Sequence, residues 1–247
     1  MKTLYKNILQ AMLKDQKLLA VLIDPDKMKL DHVELFIKKV NISLATHIFV
    51  GGSTVEANAT DILVTKIKQF TTLPVVLFPG DVTQITNKAD GLLFLSLLSG
   101  RNPEYLIDKQ IASVSKLRET TLEIIPTGYI LIENGKQTAV QRVTATKPLP
   151  RNDIQQIIDT AKAGEYMGKQ LIYLEAGSGA IQPISEDIIA KVKQELNIPL
   201  IVGGGIKTKK QLQSAYNSGA DLVVIGTAFE DDESFFNDIK RPAIATT

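Results

Sequence analysis

The residues best suited to chemistry sit in short glycine-bearing turns that follow apolar runs. Gly203-Gly204-Gly205 is one such turn and Gly226-Thr227 is another. A phosphate is held well by converging backbone N–H groups, and a Cβ would block their approach. A turn that opens onto a helix N-terminus adds a favourable dipole. Each turn alone would serve equally as a tight bend; as a pair at successive strand ends, they point to a phosphate pocket. A third turn, Tyr173-Leu174-Glu175-Ala176-Gly177-Ser178-Gly179, could extend it through two more glycines and a hydroxyl. Glu175 ends an otherwise apolar run, where burial would raise its proton affinity and suit it to general-base work. A structural pairing with Lys or Arg is the plainer alternative. Its place at a strand end favours the base.

Two further turns carry oxygen ligands. Asp24 in Asp24-Pro25-Asp26-Lys27 could hold Mg²⁺ beside a phosphate or diphosphate, and equally could shape a turn or cap a helix. Ser53 in Gly51-Gly52-Ser53-Thr54 offers a hydroxyl ligand or an ordinary cap. Phe78 and the run Leu92–Leu98 are apolar enough to be core. The run also outlasts an expected strand Gly91–Leu95, which would leave a hydrophobic slot on that side.

These turns need a frame. Eight runs rich in Val, Ile and Leu recur: Leu18–Ile23, His47–Val50, Val75–Phe78, Gly91–Leu95, Leu122–Pro126, Leu171–Glu175, Leu200–Gly203 and Asp221–Ile225. They do not alternate, which suits parallel strands covered on both faces. Between them, Val33, Phe36, Ile37 and Val40 fall on one helical face, as do Ile154, Ile157, Ile158 and Ala161, and Leu212, Ala215, Tyr216 and Gly219. Thr208 with Gln211 reads as a capping box, and Ser185 before Glu186 and Asp187 as a helix start. LPVVLFPGD at 73–81 echoes IPLIVGGGI at 198–206, each a proline feeding a strand that ends in a glycine turn.

Eight strand–helix alternations in 247 residues favour a single (β/α)8 TIM barrel over 1–247. An N-terminal helix is expected over 1–16, and an excursion over 129–150 after the fifth strand. In that excursion Glu133-Asn134-Gly135 reads as a hairpin turn, and the following helix as starting near Asn152. In such a barrel the chemistry lies at the C-terminal ends of the strands.

Composition narrows the chemistry. With no cysteine, disulfides and thiolate nucleophiles are excluded, and with only His32 and His47 a multi-histidine metal site is not expected. A net charge of +1 gives no bulk attraction for nucleic acid. No apolar run approaches the roughly 20 residues of a membrane span, and the charged N-terminus reads as a helix rather than a signal peptide. A cytoplasmic protein is expected.

The motifs together resemble the geranylgeranylglyceryl phosphate synthase family, with its bacterial heptaprenylglyceryl phosphate synthase relatives. The matching segments are LIDPDK at 22–27, VGGS at 50–53, LFPG at 77–80, LLFLSLLSGRNP at 92–103, YLEAGSG at 173–179, VGGGI at 202–206 and VIGT at 224–227. They run in order along nearly the whole chain, and YLEAGSG is far more specific than a triple glycine. The resemblance implies transfer of a polyprenyl group, geranylgeranyl first among them, from its diphosphate to sn-glycerol 1-phosphate. It implies Mg²⁺ on Asp24 and Ser53, with Asp24 and Glu175 catalytic. Glycerol phosphate would lie among Tyr173, Glu175, Gly177, Ser178, Gly179, Gly204, Gly205, Gly226 and Thr227, with backbone of Leu174 and Ala176 contributing. It further implies a homo-oligomer, dimer or hexamer, and contact with a membrane surface for the lipid product. The rivals are another phosphate-gripping barrel such as a thiamine phosphate synthase, or a non-catalytic phosphoglycerol-binding protein. The first would not need YLEAGSG or the long apolar run, and the second would not require Asp24 and a base such as Glu175.

Overall fold

The computed structural model describes residues 3–241. Met1 and Lys2 of the expected first helix, and 242–247 of the expected domain, lie outside them. Eight parallel strands close into a barrel in chain order. They are β1 (Leu18–Ile23), β2 (His47–Val50), β3 (Val75–Leu77), β4 (Gly91–Leu97), β5 (Glu123–Leu131), β6 (Leu171–Glu175), β7 (Leu200–Gly203) and β8 (Leu222–Ile225). Pairing of Leu18 with Leu222 through Val21 with Ile225 joins the last strand to the first.

The dense apolar runs are explained by two cores. Ala20, Phe49, Val76, Leu93, Tyr173, Ile201 and Leu222 pack inside the barrel. Their neighbours Val21, Ile48, Val75, Leu92, Ile172 and Val223 pack outward against the helices. Both faces of each strand are therefore dry, and no polar alternation is tolerated.

The helices are α1 (Leu4–Leu13), α2 (Val33–Ile42), α3 (Ala59–Ile67), α4 (Lys109–Arg118), α5 (Ala139–Thr144), α6 (Ile154–Tyr166), α7 (Glu186–Glu195), α8 (Lys209–Asn217), α9 (Thr227–Asp231) and α10 (Phe235–Asp238). All four residues of the α2 stripe are buried. Thr208 and Gln211 form the expected capping box of α8, and the Ser185 hydroxyl accepts from the Ile188 N–H at the start of α7. The Glu123 carboxylate accepts the N–H groups of Leu4 and Tyr5, both at 2.8 Å, so a barrel strand caps α1.

The structure departs from the sequence pattern between 92 and 153. β4 runs to Leu97 and β5 to Leu131, paired through Ser96–Gly128 and Leu97–Tyr129. The Leu92–Leu98 run is thus mostly strand, and the excursion begins after Leu131, not at Tyr129. Pro126 and Gly128 look like breakers but sit within β5. At Gly128 a Cβ would lie 2.7 Å from Leu98 Cδ1 and 2.9 Å from Ile172 Cδ1, so the two side chains pack over the bare backbone. Glu133-Asn134-Gly135 is a turn, with Gly135 at φ +91°, but it leads to α5 rather than to an antiparallel partner. The chain returns through a single parallel bridge, Ile132 to Leu149, and α6 begins after Asp153 rather than Asn152.

Candidate functional site

The loops after the strands enclose one cavity of about 340 Å³ at the C-terminal end of the barrel. Tyr173, Glu175, Ser178, Gly179, Gly204, Gly205, Gly226 and Thr227 line it, and so do Asp24 and Ser53. Residues as far apart in sequence as Asp24 and Thr227 thus face one space, because they sit at the ends of different strands of a closed sheet.

Its glycine side is built by β6, β7 and β8. Gly204 and Gly205 have φ of +84° and +73°, a region other residues enter only with strain. A Cβ on Gly204 would stand 2.4 Å from Glu175 Oε1 and 2.6 Å from the Gly177 nitrogen. Ser178 Oγ and Thr227 Oγ1 lie 3.1 Å apart, and the Gly179 N–H donates to Thr227 Oγ1 at 3.3 Å. Hydroxyls and open backbone from three loops therefore converge.

Three expected contributors lie elsewhere. Leu174 points into the outer core between sheet and helices. Ala176 is also buried there, and its backbone is occupied: its N–H donates to the Gly203 carbonyl at 3.0 Å, and its carbonyl accepts from Asn134. Gly177 does not line the cavity; its N–H donates to Glu175 Oε1 at 2.6 Å. Gly203, the first glycine of the triple, makes room for other groups. A side chain there would meet the Tyr173 hydroxyl at 2.4 Å and Glu175 Oε2 at 3.0 Å.

Glu175 is buried at the end of β6. Burial pushes its carboxyl above the ordinary carboxylate range, while the Gly177 N–H and the Tyr173 hydroxyl pull it partly back. No Lys or Arg is its ion-pair partner among the described residues, so the structural pairing foreseen as an alternative is not made. The Tyr173 hydroxyl is buried without a partner of hydrogen-bond geometry among the described residues. A buried hydroxyl in that state is unfavourable by itself and suits a site that a polar ligand completes.

The opposite side is built by β1, β2 and β3. Asp24 Oδ1 accepts from the Asp26 N–H at 3.1 Å, so Asp24 does shape the turn; its carboxylate also faces the cavity, with Lys27 Nζ 3.9 Å away. A side chain on Gly52 would come within 2.9 Å of Asp24 Oδ1. This leaves a small cradle beside one carboxylate and the Ser53 hydroxyl. No three acidic or histidine side chains cluster among the described residues. One carboxylate, one hydroxyl and an open cradle fit Mg²⁺, which keeps several positions for water and substrate phosphate.

Between the two sides lies the apolar slot. Phe78, Leu92, Leu93, Phe94, Leu95 and Leu97 line it. The rings of Phe78, Tyr129 and Tyr173 meet at its base, with centroids 5.3 to 5.8 Å apart. Tyr129 escaped the sequence reading because strand five was ended too early; its pairing with Tyr173 places it on the inner face. Two further residues were missed. Buried Gln84 ties the loops together, donating to the Gly52 carbonyl at 2.8 Å and accepting from the Gly80 N–H at 3.2 Å. Lys109, on α4, pairs with Asp81 at the rim of the slot. An isolated Gln or Lys carries no pattern that would mark such roles.

The chain matches known proteins along its length. The model of the PcrB family matches residues 11–245. A geranylgeranylglyceryl phosphate synthase of Flavobacterium johnsoniae is 54% identical over 235 residues, covering 95% of this chain and 97% of that one. That of Zunongwangia profunda is 58% identical over 230 residues, covering 92% and 98%. Among solved structures, (S)-3-O-geranylgeranylglyceryl phosphate synthase from Thermoplasma acidophilum, in complex with its substrate sn-glycerol-1-phosphate, superposes with a TM-score of 0.90. It is 32% identical, and the match covers 96% of both chains.

Proposed function

The chain belongs to the PcrB family, and on that premise we propose that it transfers a polyprenyl group from its diphosphate to sn-glycerol 1-phosphate. The relatives are named for geranylgeranylglyceryl phosphate, so geranylgeranyl diphosphate is the first donor to test. One observation carries the reading: a buried carboxylate of raised proton affinity, Glu175, stands between a glycine-rich anion pocket and an apolar slot.

The parts divide the work. The glycine side, with Ser178 and Thr227, holds the acceptor phosphate. Tyr173 offers its buried hydroxyl, beside the Glu175 carboxylate, to the glycerol. Glu175 accepts the proton of the attacking glycerol hydroxyl. The donor's C1–O bond to diphosphate breaks and an ether C–O bond forms. Holding both reactants in one cavity replaces an encounter by an orientation. The slot keeps water from the allylic carbon, and the faces of Phe78, Tyr129 and Tyr173 favour positive charge there. Asp24 and Ser53 would hold Mg²⁺. When bound, such an ion neutralises the leaving diphosphate.

No helix among the described residues is long and apolar enough to cross a membrane. A cytoplasmic location, contact with a membrane surface at product release, and assembly as a dimer or hexamer belong to the proposal through the resemblance. Light scattering of the purified protein tests the last. The function itself is tested with purified protein, Mg²⁺, labelled sn-glycerol 1-phosphate and a series of polyprenyl diphosphates. A prenylated glycerol phosphate is expected, most rapidly with one chain length. Absence of product with every donor would overturn the reading.

A further inference from the structure

The acceptor pocket poses a charge problem that its glycines leave unsolved. Backbone N–H groups and hydroxyls are neutral. A phosphate monoester near neutral pH carries close to two negative charges, and Glu175 would add a third in a buried setting. Charges of one sign inside a partly dry cavity repel strongly unless cations stand close.

Four lysines stand in or over this cavity, and they divide into two pairs. Lys27 lies 3.9 Å from Asp24 and Lys109 is paired with Asp81. Both belong to the donor side. Lys207 lines the cavity just after Gly205 and Ile206. Lys136 comes from the turn after β5, and its Nζ lies 3.1 Å from where a Cβ of Gly179 would be. Neither Lys136 nor Lys207 has an acidic partner among the described residues.

Their placement is built. The Lys136 N–H donates to Asn134 Oδ1 at 3.2 Å, and buried Asn134 in turn donates to the Ala176 carbonyl. The Thr138 methyl packs where a Gly177 side chain would be, 2.4 Å from that position. This turn is thereby clamped onto the β6 loop that carries Ser178 and Gly179. On the other flank, the Lys207 N–H donates to Gln211 Oε1 at 2.8 Å, fixing its backbone at the head of α8.

We propose that Lys136 and Lys207 are ligands of the acceptor phosphate, closing on it from opposite flanks of the glycine pocket and compensating its charge. The assignment rests on the acceptor reading above. It also gives the 132–153 excursion a role, since that segment carries one of the two cations.

The test uses full-length protein and inorganic phosphate as probe, followed by steady-state kinetics. Lys136→Ala and Lys207→Ala are each expected to weaken phosphate binding and to raise KM for sn-glycerol 1-phosphate by about 3- to 30-fold, the range of one charge-assisted hydrogen bond from a solvent-exposed lysine. The double variant should lose more than either. The value of kcat at saturating acceptor and the KM for prenyl diphosphate should stay near wild type, and Lys→Arg at each site should restore most binding. Lys191→Ala, on remote α7, controls for bulk charge and should change nothing. Wild-type phosphate affinity and acceptor KM in both single variants and the double variant would overturn the assignment. Lysine-dependent phosphate binding by a protein that makes no product with any donor would instead overturn the transferase reading and leave the lysines as phosphate ligands.

Discussion

At the scale of the residue, the account turns on Glu175. A base must be deprotonated to act, and burial raises the pH at which this carboxyl loses its proton. The acid limb of kcat should therefore fall at a pH above the ordinary carboxylate value, and activity should be retained on the alkaline side. Glu175→Gln should lower kcat by about 10²- to 10⁴-fold with glycerol phosphate binding kept, since the glycine pocket is untouched. Full turnover in that variant would remove Glu175 as the base. A second test separates backbone strain from lost space. Gly204 and Gly168 have nearly the same φ, +84° and +83°, but only Gly204 faces Glu175; nothing lies within 4 Å of a Cβ on Gly168. Gly168→Ala should cost about 1 kcal/mol and keep activity. Gly204→Ala should abolish most turnover by displacing the Glu175 carboxylate. Equal losses of turnover in the two would contradict the packing argument.

At the scale of the element, the apolar runs located all eight strands, and the i, i+3, i+4 stripes located α2, α6 and α8. The ends were less legible where long-range packing overrides local signals. Gly128 reads as a turn residue, yet it sits in β5, paired with Ser96 of β4 and Ile172 of β6. The role of α1 was equally hidden. Its cap is Glu123, more than a hundred residues away, and no local pattern can announce such a partner. Glu123→Ala should strip the acceptor from two N–H groups, destabilise the protein by roughly 1–3 kcal/mol and speed amide exchange in the first turn of α1. Activity per folded molecule should persist, because α1 covers the end opposite the cavity. Unchanged exchange in α1 would show that its apolar face alone holds it.

At the scale of the whole molecule, barrel closure turns a list of motifs into a site. Asp24, Ser53, Glu175, Gly204, Gly205 and Gly226 come from different strand ends and share one cavity. The motifs were legible because phosphate pockets demand glycine and bases demand carboxylates. The side chains of Leu174 and Ala176 face the outer core, because alternate residues of a strand face opposite sides, so any share they have in the site is through backbone alone. Tyr129, Gln84 and Lys109 stayed hidden because their roles arise only when strands pair and loops meet. The arrangement puts a base between an acceptor pocket and a donor slot, so bond breaking should depend on both occupants. The most direct measurement is diphosphate release from geranylgeranyl diphosphate, with Mg²⁺, as sn-glycerol 1-phosphate is varied. The account predicts one diphosphate released per prenyl ether formed, and essentially none without acceptor. Release independent of acceptor, or no release at any acceptor concentration, would contradict it.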